Sequence, residues 1–383
     1  VLLFFAFLPH LTAVAAVAAR ARTPPHVLLV VVDDLGWNDV GCRSHVINTP
    51  NVDRLRVEGT LLENYYVQDV CSPSRAALMT GRYPLHNTVN DWLKPRTATG
   101  LPLNETLMPE VFHNHGYRTH AVGKWHLGFY TWKHTPTFRG FDSFFGFYGG
   151  GEDYFKHINA GGYDMRDDGS PNCGRNCSRV ADEAQGTYST HLFTQKAVDR
   201  IREHNNSEPL FLYLAYQAVH APAQVPSVYR DAYNKTILDS KRRTFAGMLS
   251  CMDEGLGNVT KALEENDMSE NLIIVFTTDN GGPIIGGDSV GSSNYPLKGG
   301  KHTVWEGGTR GTAFVWLSEN LRPAIEGTEL ASYKNLMHVV DLFPTICSAA
   351  SLDCSHLPFD GVDHWGSLVD NEIEKIDGPV PRS

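Results

Sequence analysis

The hydrophobic pattern along the chain alternates between two kinds of segment. Residues 27–32, Val-Leu-Leu-Val-Val-Val, form an unbroken apolar and largely β-branched run, the pattern of a strand covered on both faces of a parallel sheet. Residues 210–216 and 272–277 repeat it, and residues 119–122 form a shorter strand. Between these runs apolar positions recur at helical spacing. Residues 50–58 open on Pro50 and stop at Gly59, residues 107–115 stop at Gly116, residues 187–204 keep the helical period, and residues 240–265 read as one long helix. Strands alternating with helices predict an α/β fold, a large and mostly parallel sheet flanked by helices. Two glycine-rich stretches, 138–162 and 281–311, are weakly periodic. Loops longer than about 12–15 residues in compact domains commonly carry function, so both are expected at an active site.

A length of 383 residues fits two or three units or one large α/β domain, at about 150 residues per domain. With 42% hydrophobic and 20% charged residues the chain has the composition of a globular protein. The net charge of -10 argues against a general nucleic-acid or heparin-type surface, because long-range repulsion opposes a polyanion. Any anion site must be local. Residues 1–19 are apolar apart from His10 and Thr12, are broken by Pro9, and end in an alanine-rich run before Arg20. This predicts a secretory signal peptide, with Ala16-Val17-Ala18 as the cleavage triplet, lacking the usual basic start. A membrane anchor fits the proline and alanines less well, and no later segment is apolar enough to span a bilayer. No stable membrane insertion is expected after cleavage. Asn104, Asn176, Asn205, Asn234 and Asn258 lie in glycosylation sequons, compatible with a secretory glycoprotein. Setting Cys71 aside leaves six of seven cysteines, with Cys173/Cys177 and Cys347/Cys354 the nearest local pairs and Cys42 and Cys251 candidates for free thiols.

Candidate chemistry gathers at a few positions. Cys71 opens the run Cys71-Ser72-Pro73-Ser74-Arg75, and Leu78-Met79-Thr80-Gly81 follows. Pro73 near the start and Gly81 past the end bracket a short helix with the cysteine at its positive pole. Arg75, four residues on, shares a face with Cys71, an arrangement suited to an anionic substrate. Two strands end in Asp33-Asp34 and Asp279-Asn280, and ligands of open parallel sheets sit beyond such strand ends. Oxygen-only donors select calcium or magnesium over zinc. Neighbours in a strand point to opposite faces, so each pair reaches one ion only where Leu35-Gly36 and Gly281-Gly282 let the chain turn. Lys124 and His126, two apart in an extended segment, are expected on one face. His220 follows a strand before Ala221-Pro222, and Lys298 stands in Leu297-Lys298-Gly299-Gly300-Lys301.

The Cys71 run resembles the signature of the type I sulfatases, Cys-x-Pro-Ser-Arg followed by an apolar residue, Thr and Gly. Residues 116–126 resemble the family's second signature, His220 its His-x-Pro histidine, and Glu306 and Arg310 its Glu-Gly-Gly-x-Arg element, taken as loop closure. The resemblance implies an alkaline-phosphatase-like fold, a catalytic domain over 24–365, and a smaller C-terminal antiparallel domain of which residues 366–383 are a truncated start. It implies that a formylglycine-generating enzyme oxidises Cys71 to formylglycine, whose hydrate is the nucleophile. Asp33, Asp34, Asp279, Asn280 and the modified Cys71 would bind one calcium ion. Asp279 would act as base, Arg75, Lys124 and Lys298 would hold the sulfate charge, His220 would protonate the departing alcohol, and His126 would help expel sulfate. Loop sequences are most similar to arylsulfatase B and its relatives. That implies a sulfated glycan or aryl sulfate substrate, with N-acetylgalactosamine 4-sulfate of dermatan or chondroitin sulfate foremost, and a lysosomal or extracellular location. Two alternatives stay open, a phosphatase or phosphodiesterase of the alkaline phosphatase superfamily and an inactive glycan-binding homologue.

Overall fold

The computed structural model describes residues 24–169, 174–322, 331–369 and 374–375. The first apolar run becomes strand β1 (His26–Val32), buried at every position. Its side chains alternate across the sheet, Leu28, Val30 and Val32 into one core cluster and Val27, Leu29 and Val31 into the other. A strand that feeds two cores must be apolar throughout, which is why the sequence shows a run and not an alternation.

The other strands of this sheet are β2 (Thr60–Leu62), β3 (Arg118–Lys124), β4 (Ser143–Phe147), β5 (Arg166–Asp168), β6 (Ser178–Val180), β7 (Leu210–Tyr216), β8 (Leu272–Thr278), β9 (Ala313–Leu317), β10 (Ala331–Tyr333) and β11 (Glu374–Lys375). Their spatial order is β11-β10-β2-β9-β8-β1-β7-β3-β4-β5-β6. The central strands β8, β1, β7, β3 and β4 are parallel. Towards the edges, β9 pairs antiparallel with β8 and β2, and β5 with β4 and β6. The sheet therefore has the expected parallel core flanked by helices, and is mixed towards its edges. Parallel neighbours need a crossover such as a helix, and the connections from β8 to β9 and from β4 to β5 are largely irregular.

Among the described residues the longer helices that cover the sheet are α1 (Pro50–Glu58), α2 (Cys71–Thr80), α3 (Met108–Asn114), α4 (Ser189–Glu203), α5 (Ser240–Glu265) and α6 (Leu342–Ala349). Val52, Phe193 and Phe245 bring α1, α4 and α5 onto one face, while Met79, Phe112 and Phe343 bring α2, α3 and α6 onto the other. The stretch 138–162, expected as loop, contains β4. Gly146 there has φ 155°, and a Cβ would meet the Gly123 carbonyl oxygen at 1.9 Å, so close strand packing demands the residue that argues against a strand in sequence.

The signal-peptide segment 1–19 lies outside the described residues. The expected domain boundary at Trp365 falls at the start of a short helix, Trp365–Val369, whose Leu368 packs into the second core cluster. Cys347 and Cys354 are bridged, and Cys42 and Cys251 are free thiols. Cys177 is disulfide-bonded, while its expected partner Cys173 lies outside the described residues. All five sequon asparagines are exposed. Among the described residues no helix is long and apolar enough to cross a membrane.

Candidate active site

Four neighbouring parallel strands deliver functional side chains at their carboxyl ends. Asp279 and Asn280 follow β8, Asp33 and Asp34 follow β1, His220 lies just beyond β7, and Lys124 ends β3 with His126 two residues on. Asp34 itself turns the chain, at φ 60°, a left-handed conformation uncommon outside glycine. The turn thus lies one residue earlier than Leu35-Gly36. Asp33 donates its N–H to the Ala218 carbonyl (3.1 Å) and its carbonyl accepts from Val219 N–H (2.8 Å), stitching β1 to the segment that leads into His220. The Asp34 N–H donates to Asp279 Oδ1 (3.2 Å) and Asn280 Nδ2 to Asp34 Oδ1 (2.7 Å), locking the two acidic ends together.

Helix α2 approaches this edge with Cys71 as its first residue and ends at Gly81, at φ 65°. Cys71 Sγ lies 3.5 Å from Asp33 Oδ1. One turn on, Arg75 donates from Nε (3.0 Å) and Nη2 (2.8 Å) to Asp279 Oδ2, and from Nη1 to the Tyr213 hydroxyl (3.2 Å). The expected shared face of Cys71 and Arg75 is present, and every residue of α2 is buried. Lys124 Nζ donates to Asp33 Oδ2 (2.6 Å), and Lys301 Nζ to Asp34 Oδ2 (3.0 Å). Cys71, His126, His220 and Lys301 line a cavity of about 740 Å³.

Residues 25–352 match the family described as Sulfatase. The chain belongs to the sulfatase family. It is 40% identical to arylsulfatase J of Mus musculus over 90% of this chain and 56% of that protein. It is 33% identical to N-acetylgalactosamine-6-sulfatase of Rattus norvegicus, over 97% of this chain and 71% of that one. The chain thus spans little more than half the length of arylsulfatase J. The crystal structure of Ps i-CgsB superposes with a TM-score of 0.81 at 34% identity, covering 91% of this chain and 77% of that one. The structure of Ps i-CgsB in complex with k-i-k-neocarrahexaose superposes with a TM-score of 0.80 at 33% identity. The alkaline-phosphatase-like expectation for the fold holds.

In this sulfatase the lysine expected at 298 is elsewhere. Lys298 is exposed and sits over the Trp305 ring, 3.7 Å from its centroid, whereas Lys301 is buried against Asp34. Gly299 at φ 81° reverses the chain between them, and the Lys301 N–H donates to the Gly282 carbonyl (3.3 Å), pinning it beside the Asp279-Asn280 turn. A second departure is His126, which has φ 57° and so breaks the extended segment expected to align it with Lys124. Glu306 and Arg310 do close loops: Arg310 reaches the Glu63 carbonyl (2.9 Å) and Glu306 accepts from the Tyr66 hydroxyl (2.8 Å).

Both site histidines have their tautomers set by carbonyls, which can only accept. His126 donates Nε2–H to the Leu93 carbonyl (3.1 Å), leaving Nδ1 buried and without a hydrogen-bond partner. His220 donates Nδ1–H to the Ala221 carbonyl (2.6 Å), so Nε2 carries the lone pair, 3.8 Å from Asp34 Oδ2. Burial, then Lys301, pushes His220 down to about 4, and burial, then Lys124, holds His126 well below the usual imidazole range. Burial pushes the Cys71 thiol up, making it a poor nucleophile as a thiol.

The cluster fits a hard cation. Asp33, Asp34, Asp279 and Cys71 each offer a ligand atom within 4.8 Å of the others, and Asn280 Oδ1 is buried with no hydrogen-bond partner. Burial, then the charge of Asp279, pushes Asp33 up against the opposing pull of Lys124. Burial acts the same way on Asp279, but Arg75 and then Lys124 outweigh it and hold Asp279 below the usual carboxylate range.

Proposed function

We propose that this sulfatase hydrolyses sulfuric esters of sugars, with an N-acetylgalactosamine sulfate, foremost the 4-sulfate, as its natural unit and aryl sulfates as small substrates. The observation that carries the reading is Cys71 and Arg75 on one buried helical face, set against Asp33, Asp279 and Lys124, with Cys71 and Lys301 lining a cavity of about 740 Å³ directly above them. The relatives named above act in the same direction. Calcium, when bound by Asp33, Asp34, Asp279, Asn280 and residue 71, would supply Lewis-acid polarisation of a sulfate oxygen. Formylglycine made from Cys71 by a formylglycine-generating enzyme would supply, as its hydrate, the nucleophile that a buried thiol cannot.

The chain's own groups divide the remaining work. Arg75, Lys124 and Lys301, themselves buried, hold the charge of the transferring group. Asp279, kept ionised by Arg75, accepts the proton of the attacking hydroxyl at position 71. His220 Nε2 faces the departing alcohol, and an anionic ester beside it raises its affinity for the proton it delivers. His126 Nδ1 is the free lone pair that takes the second proton at position 71. Exposed sequons and the Cys347–Cys354 bridge support passage through the secretory pathway to a lysosomal or extracellular destination. The test is turnover of 4-nitrophenyl sulfate against 4-nitrophenyl phosphate, with and without calcium, alongside peptide mass spectrometry across residues 69–82. An aldehyde at 71 and preference for the sulfate are expected. Preference for the phosphate, or an unmodified thiol in fully active protein, refutes the reading.

A further inference from the structure

The catalytic groups account for the floor of the cavity but not for its rim. Trp92, Pro95, Asn159, Asp288 and His302 also line it, and none has a role in ester cleavage. Trp92 is 40% exposed. Exposure of so large an aromatic usually accompanies a mobile loop, yet this one is pinned. The next residue, Leu93, donates its N–H to Ser72 Oγ (3.0 Å) and accepts from His126 Nε2 through its carbonyl (3.1 Å). Ser72 adjoins Cys71, so the backbone that carries Trp92 is anchored beside both the nucleophile position and His126. The Arg96 guanidinium further ties the strap to the Ala160 carbonyl, closing it onto the hairpin that carries Asn159.

Also lining this cavity, Asp288 Oδ2 is 3.4 Å from His302 Nε2 and 3.6 Å from Lys301 Nζ. Asp288 and His302 are both about half exposed, so their remaining hydrogen-bond capacity faces the cavity and solvent. An aromatic plate on an anchored backbone, together with a carboxylate and an imidazole, is the chemistry a pyranose requires. Its C–H face is apolar, while its hydroxyls donate to the carboxylate and, with His302 Nε2–H given to Asp288, to the Nδ1 lone pair of the imidazole. An aryl sulfate has no hydroxyls to satisfy the second group.

We propose that Trp92 and the Asp288–His302 pair form the sugar-recognition subsite of this cavity, Trp92 covering the apolar face of a hydroxylated pyranose and the pair taking its hydroxyls. The inference rests on the sulfatase reading for the sulfate position and adds the residues that select the sugar. The full chain, with calcium, is titrated calorimetrically with N-acetylgalactosamine 4-sulfate and with inorganic sulfate. Trp92→Ala and Asp288→Asn should each weaken the sugar about tenfold or more relative to sulfate, a loss of about 1.4 kcal/mol. Trp132→Ala, equally exposed but away from the cavity lining, should change neither. The kcat/KM ratio of sugar sulfate to 4-nitrophenyl sulfate should fall by the same factor. The subsite is overturned if sugar and sulfate weaken equally, if neither variant alters sugar binding, or if the wild type binds the sugar no tighter than sulfate. Sugar-selective binding lost in both variants, in a protein that cleaves no ester, supports the subsite and sinks the hydrolase reading instead.

Discussion

Replacing Lys301 by Met, set beside the same change at Lys298, tests the placement of charge in the site most directly. Lys301 is 5% exposed and its ammonium is 3.0 Å from a fully buried Asp34 carboxylate. Removing one partner of a buried pair costs about 3–5 kcal/mol where nothing else compensates. Asn280 Nδ2 remains on Asp34, and a bound cation would neutralise it, so the lower end of that range is expected for unfolding in calcium. For the reaction, loss of one preorganised donor lowers kcat by about 10²–10³-fold. Lys298 is exposed and holds only a cation–π contact, about 0.5–1 kcal/mol at such a site, with no path to the sulfate. Lys298→Met should keep full kcat on 4-nitrophenyl sulfate. Steady-state kinetics and thermal unfolding of both variants, at saturating calcium, read the difference. If Lys298→Met loses as much kcat as Lys301→Met, the structural assignment is wrong and the reasoning falls.

Three further outcomes are expected. In Gly150→Ala the new Cβ would lie 2.6 Å from His126 Nε2, displacing the ring from Leu93. kcat should drop by up to about 10²-fold with little change in thermal midpoint, and an unchanged kcat would mean that the ring position is immaterial. Cys71→Ser can attack sulfur once but lacks a second hydroxyl, so intact-mass measurement should find sulfated protein accumulating, and full turnover without an adduct contradicts the roles assigned to Asp279 and His126. Burial, then His204, pushes His26 down to about 4, below an unfolded value of about 6.5. As pH falls below about 6.5 the unfolded chain therefore gains a proton that the fold refuses, removing up to about 1.4 kcal/mol per pH unit until about pH 4. His26→Gln, which keeps an acceptor for the Leu210 N–H, should flatten the fall of thermal midpoint between pH 7 and 4.5, and parallel curves would exclude His26 as the cause.

The parallel centre was legible because a strand buried on both faces leaves an unbroken apolar run. β1 and β7 show it, and helices such as Pro50–Glu58 and Ser240–Glu265 carry their own period and stop signals. Other strands were not, for opposite reasons. The central β4 contains a glycine that close packing requires, and β2 and β10, nearer the edge, are three residues each, too short for any period to register. In the site, residues that terminate strands or open α2 could be placed from sequence, since the element fixes the direction of the side chain. Lys301 could not be separated from Lys298, because a left-handed glycine between them, and not a periodic element, decides which lysine turns inward. The rim residues Trp92 and Asp288 gave no signal either, lying on irregular segments whose path is set by tertiary hydrogen bonds.

The charge balance of the cluster connects these placements to the composition. Asp33, Asp34 and Asp279 are buried beside Arg75, Lys124 and Lys301, three carboxylates against three cations. Residue 71, as a protonated thiol or an aldehyde, adds no charge, so the cluster alone is near neutral. A divalent cation among the carboxylates would leave two positive charges in excess, enough for the single charge of a sulfate ester and the second that appears on released sulfate. A chain of net charge -10 can thus hold an anion, because the field at the bottom of a low-dielectric cleft is set by these few groups and not by the distant surface. The same count requires that Lys301 stay charged and inward for the balance to close, as its raised affinity for the proton beside Asp34 provides.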